Sequence, residues 1–148
     1  MLRKAALEGL ADEVRGALGR GAVDVPDDLG WTALHDAMLS GAGCLEVLTV
    51  LLCDMTADVN AATHDGLTPL HMCHEADCKT DWKAHRGRTA DGRSSFYAAA
   101  VIQLLVDSGA RVNAKAVDGS TPLHLAAEAG ASASVMALLH CGAHPQLA

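Results

Sequence analysis

Apolar positions along this chain fall into short helical stripes, each introduced by a turn-like opening. In EVLTVLL (46–52) and AVIQLLV (100–106) they stand at Val47, Leu48, Leu51 and Leu52, and at Val101, Ile102, Leu105 and Val106. Spacing of i, i+1, i+4, i+5 lines one side of a 3.6-residue helix, so each segment predicts a helix that must bury that side. SVMALLH (134–140) repeats the pattern. Each is preceded by a related segment: GWTALHDAM from Gly30, GLTPLHMCH from Gly66 and GSTPLHLAA from Gly119. There a Thr stands where a helix cap belongs, its hydroxyl able to take an orphan amide. Pro69 and Pro122 occupy the first helical position, where a missing N–H costs nothing, and Ala33 replaces them in the first copy. Small residues at Ala37, Ala126 and Ala127 predict close helix approach. Gly109 and Gly142, each followed by Ala, predict left-handed helix stops. The opening LRKAALEGLADEVRGALGRGA reads as one more helix, turn and helix. No single pair can hide its stripe, so the pairs must stack.

The turn, T-P-L-H tetrapeptide, paired helices and Gly-Ala close resemble the ankyrin repeat over essentially the whole chain. The resemblance implies an all-α solenoid of about four stacked helix-turn-helix units joined by short hairpin turns. The units are expected at 1–27 (an N-terminal cap), 28–63, 64–116 and 117–148, forming a single domain and a piece of a longer chain. Turn glycines are 36 and then 53 residues apart, against a family period of about 33. The second excess predicts a long insertion loop, 77–95, after which Ser94 or Ser95 caps a helix starting at Phe96. A loop that long inside a compact domain is usually functional or disordered.

One cluster invites a metal reading. LHMCHEADCKTDWKAH (70–85) holds His71, Cys73, His74, Cys78 and His85. But His71 recurs as His35 and His124 in the sister copies, and the resemblance implies that this histidine bonds to backbone near the turns. Cys73 stands where Ala126 does, as a small apolar side chain. The remaining C-x4-C and C-x6-H spacings match no strong zinc pattern. No metal or cofactor is expected. Nor is an enzyme: G-x-S-x-G, a Gly-rich phosphate loop, H-E-x-x-H and the H-x-E with P-C-x-x-C pair are all missing.

Composition sharpens the partner. The net charge is −7, and between Gly21 and Cys78 there are ten acids and no Lys or Arg. Between Asp77 and Ser95 five basic residues face three acids. Such a field repels phosphate backbones, which argues against nucleic acid, and favours a basic polypeptide. Five cysteines at irregular spacing fit reduced thiols, and no apolar run is long enough for a membrane span, so an intracellular protein, cytoplasmic or nuclear, is expected.

The resemblance also implies which surface works: in such arrays the turn tips and first helices line a concave, protein-binding face. By position the tips are Asp28, Trp31, His64, Asp65, Leu67, Val117, Asp118 and Ser120. The first helices add Asp36, Glu75 and Glu128, and Trp82 sits in the basic loop at the rim. For each of these a plain solvated residue is the competing reading. Trp31 stands apart because an indole is costly to expose and enriched at binding hot spots. The expected function is a protein–protein interaction module gripping a basic segment. The alternatives are a substrate-recruiting adaptor within a larger regulatory protein, an inhibitor masking a basic segment of a transcription factor, and a metal- or redox-responsive module. Asn60 and Asn113 resemble asparagines that ankyrin arrays offer to an asparaginyl hydroxylase, although the same Val-Asn pair is a routine turn feature of the repeat.

Overall fold

The structure, a computed structural model, describes residues 2–20, 25–40, 44–53, 57–74 and 93–145. Within them the chain forms α1 (Leu2–Leu7), α2 (Ala11–Gly19), α3 (Ala33–Met38), α4 (Cys44–Cys53), a 3-10 turn η1 (Pro69–Met72), α5 (Arg93–Asp107), α6 (Pro122–Glu128) and α7 (Ser132–His140). No strand occurs among the described residues. Two layers result. The first members α1, α3, η1 and α6 touch in that order, and the second members α2, α4, α5 and α7 do the same. Cross-contacts α1–α2, α3–α4 and α6–α7 bind the layers.

The stripes read from sequence supply the core between the layers. Val47, Leu48, Leu51, Val101, Ile102, Leu105 and Leu138 are buried, and Leu34 and Leu70 meet them from the first layer. Burying one such side chain contributes about 2 kcal/mol, so no isolated pair could hold together. Ala37, Cys73 and Ala126 are fully buried where first members approach one another. Ala127, expected to share that role, is exposed instead.

Two further expectations are corrected. The third first member is a 3-10 turn, closed by the His71 N–H to the Thr68 carbonyl at 2.9 Å. Helix α5 begins at Arg93, so Ser94 and Ser95 lie inside it rather than ahead of it as caps. The rest of the proposed insertion, 77–92, lies outside the described residues, as do Glu75 and Trp82.

Candidate functional site

Three hairpins precede the first-layer elements, and their backbone geometry explains the glycines. In each, the first N–H bonds to the fifth carbonyl: Asp27 to Trp31 (2.9 Å), Thr63 to Leu67 (3.0 Å), Ala116 to Ser120 (2.8 Å). The fourth residue is Gly30, Gly66 or Gly119, with φ of 82°, 78° and 85°. Neighbouring hairpins also bond to one another. The His64 N–H reaches the Leu29 carbonyl and the Val117 N–H reaches the Asp65 carbonyl, both at 2.9 Å. The tips are thereby held side by side as one ribbon.

The T-P-L-H histidines bolt this ribbon to the helices. His35 Nδ1 accepts the Thr32 backbone N–H at 3.2 Å and shares its lone pair with the Thr32 hydroxyl at 2.9 Å. His71 repeats this with Thr68 (3.0 and 2.9 Å), and His124 with Thr121 (3.1 and 2.8 Å). An accepting Nδ1 assigns the ring hydrogen to Nε2. That hydrogen crosses to the next hairpin: His35 Nε2 donates to the Leu67 carbonyl at 2.9 Å, His71 Nε2 to the Ser120 carbonyl at 3.1 Å. The hydroxyl oxygen of Thr121 also accepts the His124 N–H, at 3.4 Å. Burial, opposed by the Ser120 and Ala114 carbonyls, lowers the His71 pKa from its ordinary value. Asparagines fasten successive units as well. Asn60 donates to the Gly109 carbonyl and accepts the Arg111 N–H, both at 2.9 Å, and Asn113 does likewise with Gly142 (3.3 Å) and His144 (2.9 Å).

The ribbon brings together most of the residues singled out from sequence. Asp28, His64, Asp65, Val117 and Asp118 are exposed on the tips, Val117 at 79 %. The Asp118 carboxylate accepts the Ser120 N–H at 2.9 Å, which with its other hydrogen bonds lowers its pKa. Leu67 and Ser120 are half-buried, their carbonyls engaged by the histidines. Trp31 is half-buried, its ring centroid 5.6 Å from that of His35 at a tilt of 53°. Glu128 is exposed at the end of α6.

Asp36 differs. It is only 6 % exposed, and its carboxylate pairs with Arg3 of α1 at 2.5 and 3.3 Å. It adds no carboxylate to the outer surface. Arg3 also reaches Asp27 at 2.7 Å. Asp27, absent from the sequence-derived set, organises the first tip by accepting the Leu29 and Trp31 N–H groups at 2.9 and 2.8 Å. The Asp-Asp-Leu-Gly run carries a turn signal in which either acid could take that part. Leu29, 62 % exposed beside His64, was likewise missed.

Sizeable clefts among the described residues lie elsewhere. One of about 590 Å³ opens between α5 and α7, lined by Gln103, Met136 and Cys141 among others, and one of about 580 Å³ borders α2 and α4. Among the described residues no three His, Cys, Asp or Glu side chains gather around a possible metal position. His74 Nδ1 hydrogen-bonds to the His71 carbonyl at 3.1 Å, while Cys78 and His85 lie outside the described residues. No described helix is long and apolar enough to cross a membrane.

Comparison with known proteins agrees with this geometry. The ankyrin repeat family model matches residues 29–64 and 118–148, leaving the irregular unit between them unmatched. The chain is 34% identical over 127 residues to human Ankyrin repeat domain-containing protein 53, covering 85% of this chain and 21% of that one. It is 38% identical over 86 residues to Protein fem-1 homolog A of Danio rerio, covering 58% and 13%. It is 31% identical to the B-cell lymphoma 3 protein homolog of Mus musculus over 96% of this chain and 35% of that one. The chain thus spans about a third or less of these relatives. Matching repeats, stacked helix pairs and hairpins joined through T-P-L-H histidines lead to one assignment: the chain belongs to the ankyrin repeat family and is a protein–protein interaction module.

Proposed function

We propose that the hairpin ribbon binds a polypeptide segment bearing Lys or Arg, and that the chain catalyses no reaction. The observation that carries this is the pattern on the tips. Carboxylates at Asp28, Asp65 and Asp118 alternate with exposed Leu29 and Val117 on hairpins locked together by backbone bonds. A fixed row of acids with apolar contacts between them favours a basic, partly apolar peptide, and steers its approach. Trp31 supplies the anchor at one end, with His64, Leu67 and Ser120 along the row and Glu128 at the first-layer side. Glu75 remains a proposed first-helix contact and the Trp82 loop a proposed rim contact. Asp36 leaves the set because Arg3 already neutralises it. Such a module fits the cytoplasm or nucleus.

A substrate-recruiting role within a longer protein is the second reading, and the greater length of the relatives favours it.

The test is binding of synthetic 15-residue peptides, Lys/Arg-bearing against Glu-bearing, by calorimetry at low and high salt. Basic peptides should bind preferentially and weaken roughly tenfold as ionic strength rises through the physiological range. Trp31→Ala should cost about 2 kcal/mol of that binding. Affinity indifferent to salt would remove the electrostatic reading, and an unchanged Trp31→Ala would remove the anchor.

A further inference from the structure

The cleft between α5 and α7 includes no residue of the hairpin tips, yet it brings together side chains with a chemistry of their own. Met136, His140 and Cys141 all line it, with Gln103 facing them from α5. Met136 and His140 are four residues apart on α7, so they stand one above the other on one face. Cys141 follows directly, at the end of that helix. One member of the trio is a thioether, so no cysteine–histidine spacing in the sequence announces it.

Hydrogen bonds fix two of the three donor atoms. His140 Nδ1 lies 3.0 Å from the Met136 carbonyl. A carbonyl only accepts, so Nδ1 carries the ring hydrogen and Nε2 keeps its lone pair. No partner for that Nε2 occurs among the described residues. Metal-ligating imidazoles adopt this arrangement, one nitrogen donating to a backbone carbonyl while the other binds the ion. Cys141 is half-buried, its Sγ 3.8 Å from Gln103 Oε1. Gln103 is itself oriented, its Nε2 donating to Asp107 Oδ1 at 2.7 Å. Asp107 and Gln103 thereby hold the sulfur on the cleft wall. Met136 is 57 % exposed, and its unbranched side chain can swing its sulfur toward the other two donors.

We propose that Met136 Sδ, His140 Nε2 and Cys141 Sγ form a binding site for Cu(I). A thioether, a neutral imidazole and a thiolate make a soft donor set, which selects Cu(I) over cations that need oxygen ligands. Among the described residues no carboxylate lines the cleft. Zn(II) sites draw four ligands from Cys, His, Asp and Glu, and only His140 and Cys141 here are of those types. The site lies at the C-terminal end of α7, where the helix dipole favours positive charge. Binding breaks the Cys141 S–H bond, releases its proton to solvent and forms an S–Cu bond, the copper remaining Cu(I) throughout. The site shares no residue with the tips invoked for the basic peptide, so either proposal can fail alone.

The experiment titrates the reduced chain, free of oxygen, with Cu(I) buffered by bicinchoninate and in parallel with Zn(II), reading isotope-labelled Met methyl and His ring signals by NMR. The Met136 methyl and His140 ring should shift together as Cu(I) binds, and Zn(II) at the same concentration should leave the Met136 methyl in place. Met136→Leu and His140→Gln, both at exposed positions outside the core, should each weaken Cu(I) binding about tenfold or more. Cu(I) taken up with the Met136 and His140 signals unmoved would make the other four cysteines its ligands and overturn the proposal. Variants that bind as tightly as the parent chain would leave Cys141 as an adventitious thiol only and would also overturn it. A Met136 shift equally large with Zn(II) would remove the assignment to Cu(I).

Discussion

His71 shows how one ring can hold two units together. Its Nδ1 accepts from Thr68 and its Nε2–H donates to Ser120, 49 residues away, so only the neutral form serves both contacts. Burial, ahead of opposing carbonyl contacts, depresses its folded pKa. Between that value and the unfolded value of about 6.5 the unfolded chain binds more protons, so stability is full above about pH 6.5 and lost as pH falls through the folded pKa. Urea unfolding from pH 7.5 downward should show this loss, and His71→Gln should flatten it; a slope unchanged by the substitution would remove the assignment. Arg3 acts differently, neutralising a nearly buried Asp36 while holding Asp27. Arg3→Ala should cost roughly 2–3 kcal/mol by leaving that acid unpaired, less than a fully buried pair because Arg3 is partly exposed. Adding Asp36→Asn should restore part of it, as read by denaturant midpoints. The role of the recurring histidines was legible because three copies share the position. The Arg3 bridge was not, since its partners lie 24 and 33 residues away and share no local pattern.

Among the elements, the hairpins separate backbone conformation from crowding. Gly66 and Gly119 have nearly equal positive φ, yet only Gly66 abuts the next hairpin's backbone. Gly119→Ala should cost about 1–2 kcal/mol, the left-handed penalty alone. Gly66→Ala should cost clearly more, because backbone rather than a flexible side chain must move. Equal midpoint shifts in chemical denaturation would contradict that division. The second helices were legible from their stripes, since one buried side dictates the spacing of Val101, Ile102 and Leu105. The start of α5 was not: polar Arg93, Ser94 and Ser95 resemble a loop and a cap, but the helix includes them. Ala127 was misjudged for a related reason, because smallness permits close packing without supplying a neighbour.

Over the whole molecule, repetition converts marginal helix pairs into one stack and sets their tips in a row. The stack was readable from the period and the stripes. The tip surface was readable only in part, because position in a repeat names outward-facing residues but not which of them the chain itself neutralises, as it does Asp36. What remains on the ribbon is Asp28, Asp65 and Asp118 with Leu29, Val117 and the half-buried Trp31. Backbone amide shifts mapped by NMR during titration with a bound Lys/Arg-bearing peptide test that surface most directly. The account predicts perturbations concentrated at 28–31, 64–67 and 117–120. Shifts confined to α2, α4 and α7, with the tips unmoved, would contradict it.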